Sequence, residues 1–240
     1  MPERPLVVDF TSLWAGPLCA HLLGRCDVDV VKVESRFRPD GARQGSAAFY
    51  DLLHAGHSAV AVSPDDERDR ERLRALVERA DLVLEASRPR ALERWGLSAS
   101  EVVDAGTTWL SITARGRCSD TVGFGDDVAA DAGLLAWESG EPRLCGDAIA
   151  DPLTGAVAAA TAGALLADDR AKLVEVSMLD VARAALLRPG CGDPEVRQLE
   201  TGTWVATGAD GRSHPVQLPR ARHVEGAAAS VGRDNDRWLR

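Results

Sequence analysis

VVDFTSLWAGPLCAHLLGRCDVDVVKVES, residues 7–35, decides the fold. The apolar run at residues 6–10 is short and bounded by turn-forming residues, so it reads as a buried strand. TSLWAGP leads from it into residues 18–26, whose apolar side chains recur at helical spacing. Residues 28–33 form a second short apolar run, which Glu34 ends. Strand, helix and strand over about thirty residues make a βαβ unit, whose two strands run parallel in one sheet.

The alternation continues outward from this unit. Residues 58–62 read as a third strand, and 65–80 as a charged helix carrying Leu73, Leu76 and Val77 at helical spacing. A strand at 82–85, the turn SRPR, helices at 91–95 and 98–105 and a strand at 109–113 follow. Further on, 126–137 and 177–187 read as helices and 172–176 as a strand. Such alternation predicts an α/β fold, a doubly wound and mostly parallel sheet covered on both faces. Beyond residue 188, extended pieces at 202–207 and 215–218 are joined by ADGR, an Asp-Gly turn signal, and predict a short β-hairpin. The expected division is a large domain over residues 1–187, a hairpin segment over 188–222 and a polar, partly disordered tail over 223–240.

Composition narrows the function classes. Over 240 residues the chain is 45% hydrophobic and 27% charged, which fits a globular protein with ample material for a core. A net charge of −9 argues against nucleic acid or an anionic membrane as general partner. The five cysteines are scattered without a CxxC pair, so they suggest neither a disulfide framework nor a zinc site, and no metal is expected. The charged start lacks the apolar segment of a signal peptide, and no run approaches the ~20 apolar residues of a membrane span. A cytoplasmic protein is the expectation.

Doubly wound sheets bind ligands beyond the carboxyl ends of their strands. There the chain places TSLWAGP, ESRFRPDG, EASRPR and TARGRC, and three of these four loops carry arginine. One such arginine is ordinarily a solvated loop residue; several on one sheet edge suggest an anion pocket. Glu34 stands where a dinucleotide ribose would be held, but the first turn has Gly16 alone and lacks GxGxxG, so no nicotinamide cofactor is expected.

LCGDAIADPLTGAVAAATAGALL, residues 144–166, sets Asp147 and Asp151 before a long run of small apolar residues. Asp151 followed by Pro152 reads as a helix start, with the carboxylate as a structural cap. A second reading is open: a carboxylate at the mouth of an apolar, buried helix is also a candidate nucleophile or base. The local pattern does not choose between them.

Three stretches together carry a family resemblance. VVDFTSLWAGPLCAHLLGRCDVDVVKVES resembles the opening VxDxTxxxAGPxxxxxLADxGAxVxKVE of the class III CoA transferases, which include formyl-CoA transferase, carnitine-CoA transferase and the α-methylacyl-CoA racemases. ADLVLEASRPRALERWGLS is similar to the family's ADVxxENFRPGxxxRxGL. IADPLTGAVAAATAGALLADDRAKLVEVSMLDVA is similar to its catalytic aspartate, its glycine-alanine helix and the VDVSMLD strand and helix. The resemblance implies coenzyme A, as acyl-CoA, for substrate and a small carboxylic acid as acceptor. It implies Asp151 as the nucleophile that becomes an aspartyl thioester. Arg94, Arg88 and Arg36 or Arg38 fall where the family approaches CoA, and Ala15 and Gly16 where it lines the pantetheine channel.

The chain also departs from the family. Its members are longer, with a small domain after the SMLD helix, whereas here a segment similar to their return to the large domain follows almost at once. The basic segment LNRGKRS reads LLHAGHS, with His54, Gly56 and His57 in place of charges; on the blander view the two histidines are ordinary loop residues. No histidine lies between Ser58 and Ser213, so a two-base racemase would need Asp126, Asp127 or Asp147 as its second base. Three readings follow: a compact CoA transferase, an acyl-CoA racemase or isomerase using Asp151 as base, and a non-catalytic CoA-binding subunit. A homodimer or a heteromer with a full-length relative is the expected assembly.

Overall fold

The computed structural model describes residues 4–87, 89–119, 121–186, 195–208, 210–217, 220 and 222–240. Six parallel strands form the central sheet: β1 (Leu6–Asp9), β2 (Asp29–Ser35), β3 (Ser58–Val62), β4 (Leu82–Glu85), β5 (Thr108–Thr113) and β8 (Leu173–Ser177), in the order β3-β2-β1-β4-β5-β8. This is the doubly wound order, and the winding reverses between β1 and β4. The strands are continuous apolar runs because both faces are covered: Val7, Val8, Val31, Val60 and Val83 are at most 1% exposed.

One face packs α1 (Ala15–Gly24), α6 (Gly125–Ala132), α7 (Ala150–Leu166) and α8 (Met178–Leu186), with α2 (Ala47–His54) against α1. The other packs α3 (Glu67–Glu78), α4 (Pro89–Glu93) and α5 (Ala99–Asp104), with α9 (Asn235–Trp238) from the end of the chain. In α3 the buried stripe is Leu73, Leu76 and Val77, and Asp66 caps the first turn through Arg68 N.

Several details differ from the sequence-based expectation. The helix expected at 126–137 stops at Ala132, because Gly133 takes a left-handed conformation with φ 90°. A hairpin follows, β6 (Leu135–Glu138) and β7 (Glu141–Leu144), turning through Ser139 and Gly140, both at positive φ. The expected C-terminal hairpin is a three-stranded antiparallel sheet, β9 (Glu195–Gln198), β10 (Trp204–Thr207) and β11 (Ser213–Pro215), in the order β11-β10-β9. The expected end of its last strand at residue 218 lies outside the described residues.

The tail is ordered against β3 and not partly disordered. Asp234 Oδ2 accepts from Ala59 N, Asn235 Oδ1 from Ala61 N, and Asn235 Nδ2 donates to Ala61 O, at 2.8–2.9 Å. Two side chains thus satisfy the polar backbone that an edge strand would otherwise expose. His54 and His57 are not loop residues in solvent: they are 2% and 6% exposed, and burial holds both imidazoles neutral, His57 down to about 3.

Helix α7 is buried on one stripe, Ala150, Thr154, Ala158 and Ala162 with Gly155 beside them, and not all round. That stripe lies on α1: a Cβ on Gly155 would stand 2.7 Å from the Ala15 carbonyl and 2.9 Å from Leu18 Cβ. Farther along the helix, exposed Gly163 has nothing within 4 Å of its Cβ position. The two glycines therefore respond oppositely to alanine. Gly155→Ala is expected to lower unfolding free energy by about 1–3 kcal/mol, as overpacking does, and Gly163→Ala to raise it by about 0.5–1 kcal/mol through helix propensity. Urea unfolding of the two variants measures both.

Candidate active site

The reversal of the winding places the loop after β1 beside the starts of α6 and α7, at the carboxyl edge of the sheet. Asp151 is the second residue of α7 and does not cap its own helix; Ile149 holds the cap position, without a side-chain bond. The Asp151 carboxylate instead turns to neighbouring helices. Its Oδ2 accepts from Gly125 N at 3.0 Å, and the carboxylate also accepts from the Ala15 backbone N–H. These amides open α6 and α1, where unpaired N–H groups and the helix dipoles favour an anion.

The approach is close. A Cβ on Gly125 would overlap Asp151 Oδ2 and lie 2.5 Å from the Ala148 carbonyl. Asp126 Oδ1 accepts from Ala148 N at 2.8 Å and so fixes the turn before α7, where Ala148 sits at φ 45° and its carbonyl accepts from Asp151 N. Burial raises the Asp151 carboxyl above its ordinary value; the Gly125 and Ala15 amides oppose the shift, and Asp126 and Asp127 add to it. The site is thus a half-buried carboxylate on two amides, and no described arginine or lysine forms an ion pair with it.

Of the other expected site residues, the structure brings Ala15 directly to Asp151, and Gly16 next to it is buried with its Cα against Thr11. Arg36 and Arg38 are exposed in the loop after β2, Arg36 Nε lying 3.5 Å from Asp69 Oδ2. Arg94 is exposed in the turn after α4. The loop after β2 leaves the carboxyl end of a strand that flanks β1, and Arg94 lies one short helix beyond the end of β4, the other flanking strand. Arg88 lies outside the described residues. Glu34 is no ribose ligand: Arg43 grips it through Nε and Nη2, and Asp40 N donates to it at 2.9 Å.

The fold also relies on polar residues that sequence reasoning passed over. Lys32, 1% exposed, lies 3.0 Å from Asp40 Oδ2 and donates to the Thr11 carbonyl at 2.7 Å. Asp40 Oδ1 accepts from Leu13 N, and Asp9 Oδ1 from Thr11 N and Oγ1. This chain pins residues 9–13, where Leu13 adopts φ 71°, and so sets the start of α1 that donates to Asp151. The signal was a Lys and an Asp inside apolar strands, which a continuous run does not require. Across the next strands Glu85 Oε2 accepts from Trp109 Nε1 at 2.8 Å, Ser111 Oγ at 3.0 Å and Arg117 Nη1 at 3.0 Å.

A doubly wound α/β protein that presents one carboxylate between helix starts, above the point where its sheet reverses, is the class that fold and site define. Residues 5–198 match CoA-transferase family III, and the chain belongs to that family. It is 31% identical over 208 residues to the probable fatty acyl-CoA transferase Rv3272 of Mycobacterium tuberculosis, covering 75% of this chain and 52% of the relative. It is 29% identical over 185 residues to succinyl-CoA–D-citramalate CoA-transferase of Chloroflexus aurantiacus, covering 69% and 46%. A crystal structure of Rv3272 superposes with a TM-score of 0.75 at 25% identity over 88% of this chain and 65% of that one. A CAIB/BAIF family protein from Brucella suis, at 20% identity and a TM-score of 0.74, shares the fold. The chain spans about half the length of the curated relatives it matches.

Because the Gly125 Cα lies against the carboxylate, Gly125→Ala is expected to push Asp151 off both amides and to destabilise the fold by about 1–3 kcal/mol. Urea unfolding measures the cost, and a carboxyl pKa at Asp151 that differs from wild type, read by carbon-detected NMR titration, reports the lost amide bonds.

Proposed function

We propose that the chain transfers coenzyme A from an acyl-CoA to a carboxylic acid, with Asp151 as covalent nucleophile. The observation that carries this reading is the Asp151 carboxylate, half-buried, free of cations among the described residues and held by the Gly125 and Ala15 amides. A carboxylate stripped of water and not neutralised by a counter-ion is a stronger nucleophile than a solvated one.

On this reading Asp151 attacks the donor thioester carbonyl, the C–S bond breaks, and CoA thiolate leaves an acyl-aspartyl anhydride. The thiolate attacks the aspartyl carbonyl of the anhydride and releases the donor acid as its carboxylate, leaving an aspartyl-CoA thioester. The acceptor carboxylate attacks that thioester, expelling the thiolate. The thiolate then attacks the acceptor's acyl carbonyl, forming the new acyl-CoA and restoring the Asp151 carboxylate. Every step moves an anion from one oxygen or sulfur to another at the same place. Two amides aimed at the carboxylate suit this, since they donate equally to an aspartyl oxygen bearing charge in a tetrahedral intermediate.

Arg36, Arg38, Arg88 and Arg94 supply charge for the CoA phosphates, whose geometry suits forked guanidinium donors. Ala15 and Gly16 line the pantetheine channel with backbone. The relatives' names span fatty acyl and succinyl donors; the shared requirement is the thioester carbonyl. On this reading residues 1–187 are the transferring unit, which works as a homodimer or with a longer relative. Racemisation through Asp126 or Asp127 as second base is less well supported, because Asp126 holds Ala148 N, and Asp127 holds Phe124 N at 2.7 Å and pairs with Arg115.

The test is CoA exchange between a panel of acyl-CoAs and acids, followed by chromatography. Asp151→Asn is expected to lower the rate by at least about 10³-fold, the loss typical of a removed nucleophile. The wild-type rate falls on the acid side as pH drops through the raised Asp151 pKa, because only the carboxylate attacks. Stability moves the other way. A carboxyl raised on folding contributes fully below its unfolded pKa, and that contribution is lost as pH rises through the folded value. Asp151→Asn is therefore no less stable than wild type at neutral pH. Unchanged exchange in this variant, with the fold intact, contradicts the assignment.

A further inference from the structure

At the amino edge of the sheet, where β2 and β3 begin, lies a cavity of about 710 Å³. It is a strand's length from Asp151 and within the size range of small-molecule sites. Three remote parts of the chain wall it: the end of α1 with His21 and Arg25, the end of α2 with Asp51 and His57, and the tail with Arg222, Arg237 and Trp238.

Its charges do not balance. The carboxylates on the wall are engaged: Glu225 lies 3.0 Å from Arg25, Asp29 lies 3.8 Å from Arg4, and Asp51 accepts from Ala228 N at 2.8 Å. Arg222 and Arg237 have no carboxylate partner among the described residues. The Arg237 guanidinium lies over the Trp238 ring, 4.8 Å from its centroid. Burial lowers the pKa of His21, and the nearby Arg222 and Arg25 add to the shift while Glu225 opposes it.

Unpaired buried nitrogens accompany the charge. His57 is 6% exposed and its Nδ1 has no hydrogen-bond partner among the described residues, and the same holds for the buried Trp238 Nε1. Both residues line the cavity. Buried polar groups of this kind are ordinarily paired, and a ligand rich in acceptor oxygens would pair them.

We propose that this cavity binds a small phosphate-bearing anion, at a site separate from the Asp151 site. Arg222 and Arg237 hold the phosphate oxygens as forked donors, and the His57 and Trp238 nitrogens take the rest of the ligand. A phosphate suits these groups better than a single carboxylate does, since they converge from different segments and a phosphate offers oxygens in several directions. Binding also ties the tail to the sheet, because residues 222–238 both wall the cavity and cap β3 through Asp234 and Asn235.

The test is calorimetric titration with inorganic pyrophosphate at 0.15 M salt, with and without saturating desulfo-CoA. Pyrophosphate is expected to bind one site per chain whether or not the CoA analogue is present. Arg222→Gln with Arg237→Gln weakens it by roughly tenfold or more, as loss of charge-assisted bonds does, without changing affinity for the analogue. No binding at millimolar pyrophosphate, competition by desulfo-CoA, or equal affinity in the double variant overturns the proposal. Amide hydrogen exchange of the wild-type chain gives a reading that does not depend on the variant. Pyrophosphate slows exchange at residues 51–58 and 222–238 if the proposal holds, and unchanged exchange there overturns it.

Discussion

Helix α7 can approach α1 closely only because Gly155 has no side chain where the Ala15 carbonyl and Leu18 lie. This contact joins the last parallel strand's helical layer to the first, and it sets the first turn of α7 against the first turn of α1. The position of Asp151 follows from it. With a bulkier residue at 155 the helices separate, the Ala15 amide leaves the carboxylate, and the stripe of Ala158 and Ala162 loses its partner surface.

The start of α1 is itself held from below. Lys32, buried in β2, reaches the Thr11 carbonyl and pairs with Asp40, whose other oxygen accepts from Leu13 N. A buried ion pair of this sort adds little to net stability over an apolar replacement, but removing one partner leaves an uncompensated charge and costs about 3–5 kcal/mol. Its role here is geometric, since it imposes the positive φ at Leu13 that aims α1 at Asp151. Electrostatics then act on the carboxylate in opposite senses. Burial and the neighbouring Asp126 and Asp127 resist its ionisation, and two helix-start amides favour it. A site so balanced keeps an anion without neutralising it.

Much of this was legible in the sequence. Strands at 58–62 and 82–85 end where expected, because each is a short apolar run between turn residues. The two-layer winding follows from the alternation alone. The local pattern made Asp151 a residue of interest and only the family resemblance made it a nucleophile: Asp-Pro at a helix start fits a cap, and the approach of Gly125 and Ala15 to its carboxylate appears only in three dimensions. The early stop of α6 at Gly133 was missed, since the apolar pattern runs on past the glycine into β6. The docking of Asp234 and Asn235 on β3 joins residues about 175 apart in sequence, and no local pattern encodes it. The cavity at the amino edge was hidden for the same reason.

Intact-protein mass spectrometry after incubation with a panel of acyl-CoAs, quenched with hydroxylamine, tests the central claim most directly. A hydroxamate on Asp151, formed with at least one donor and absent from Asp151→Ala, is the predicted result. A folded chain that binds CoA by calorimetry, yet carries no adduct at Asp151 with any donor, would contradict it.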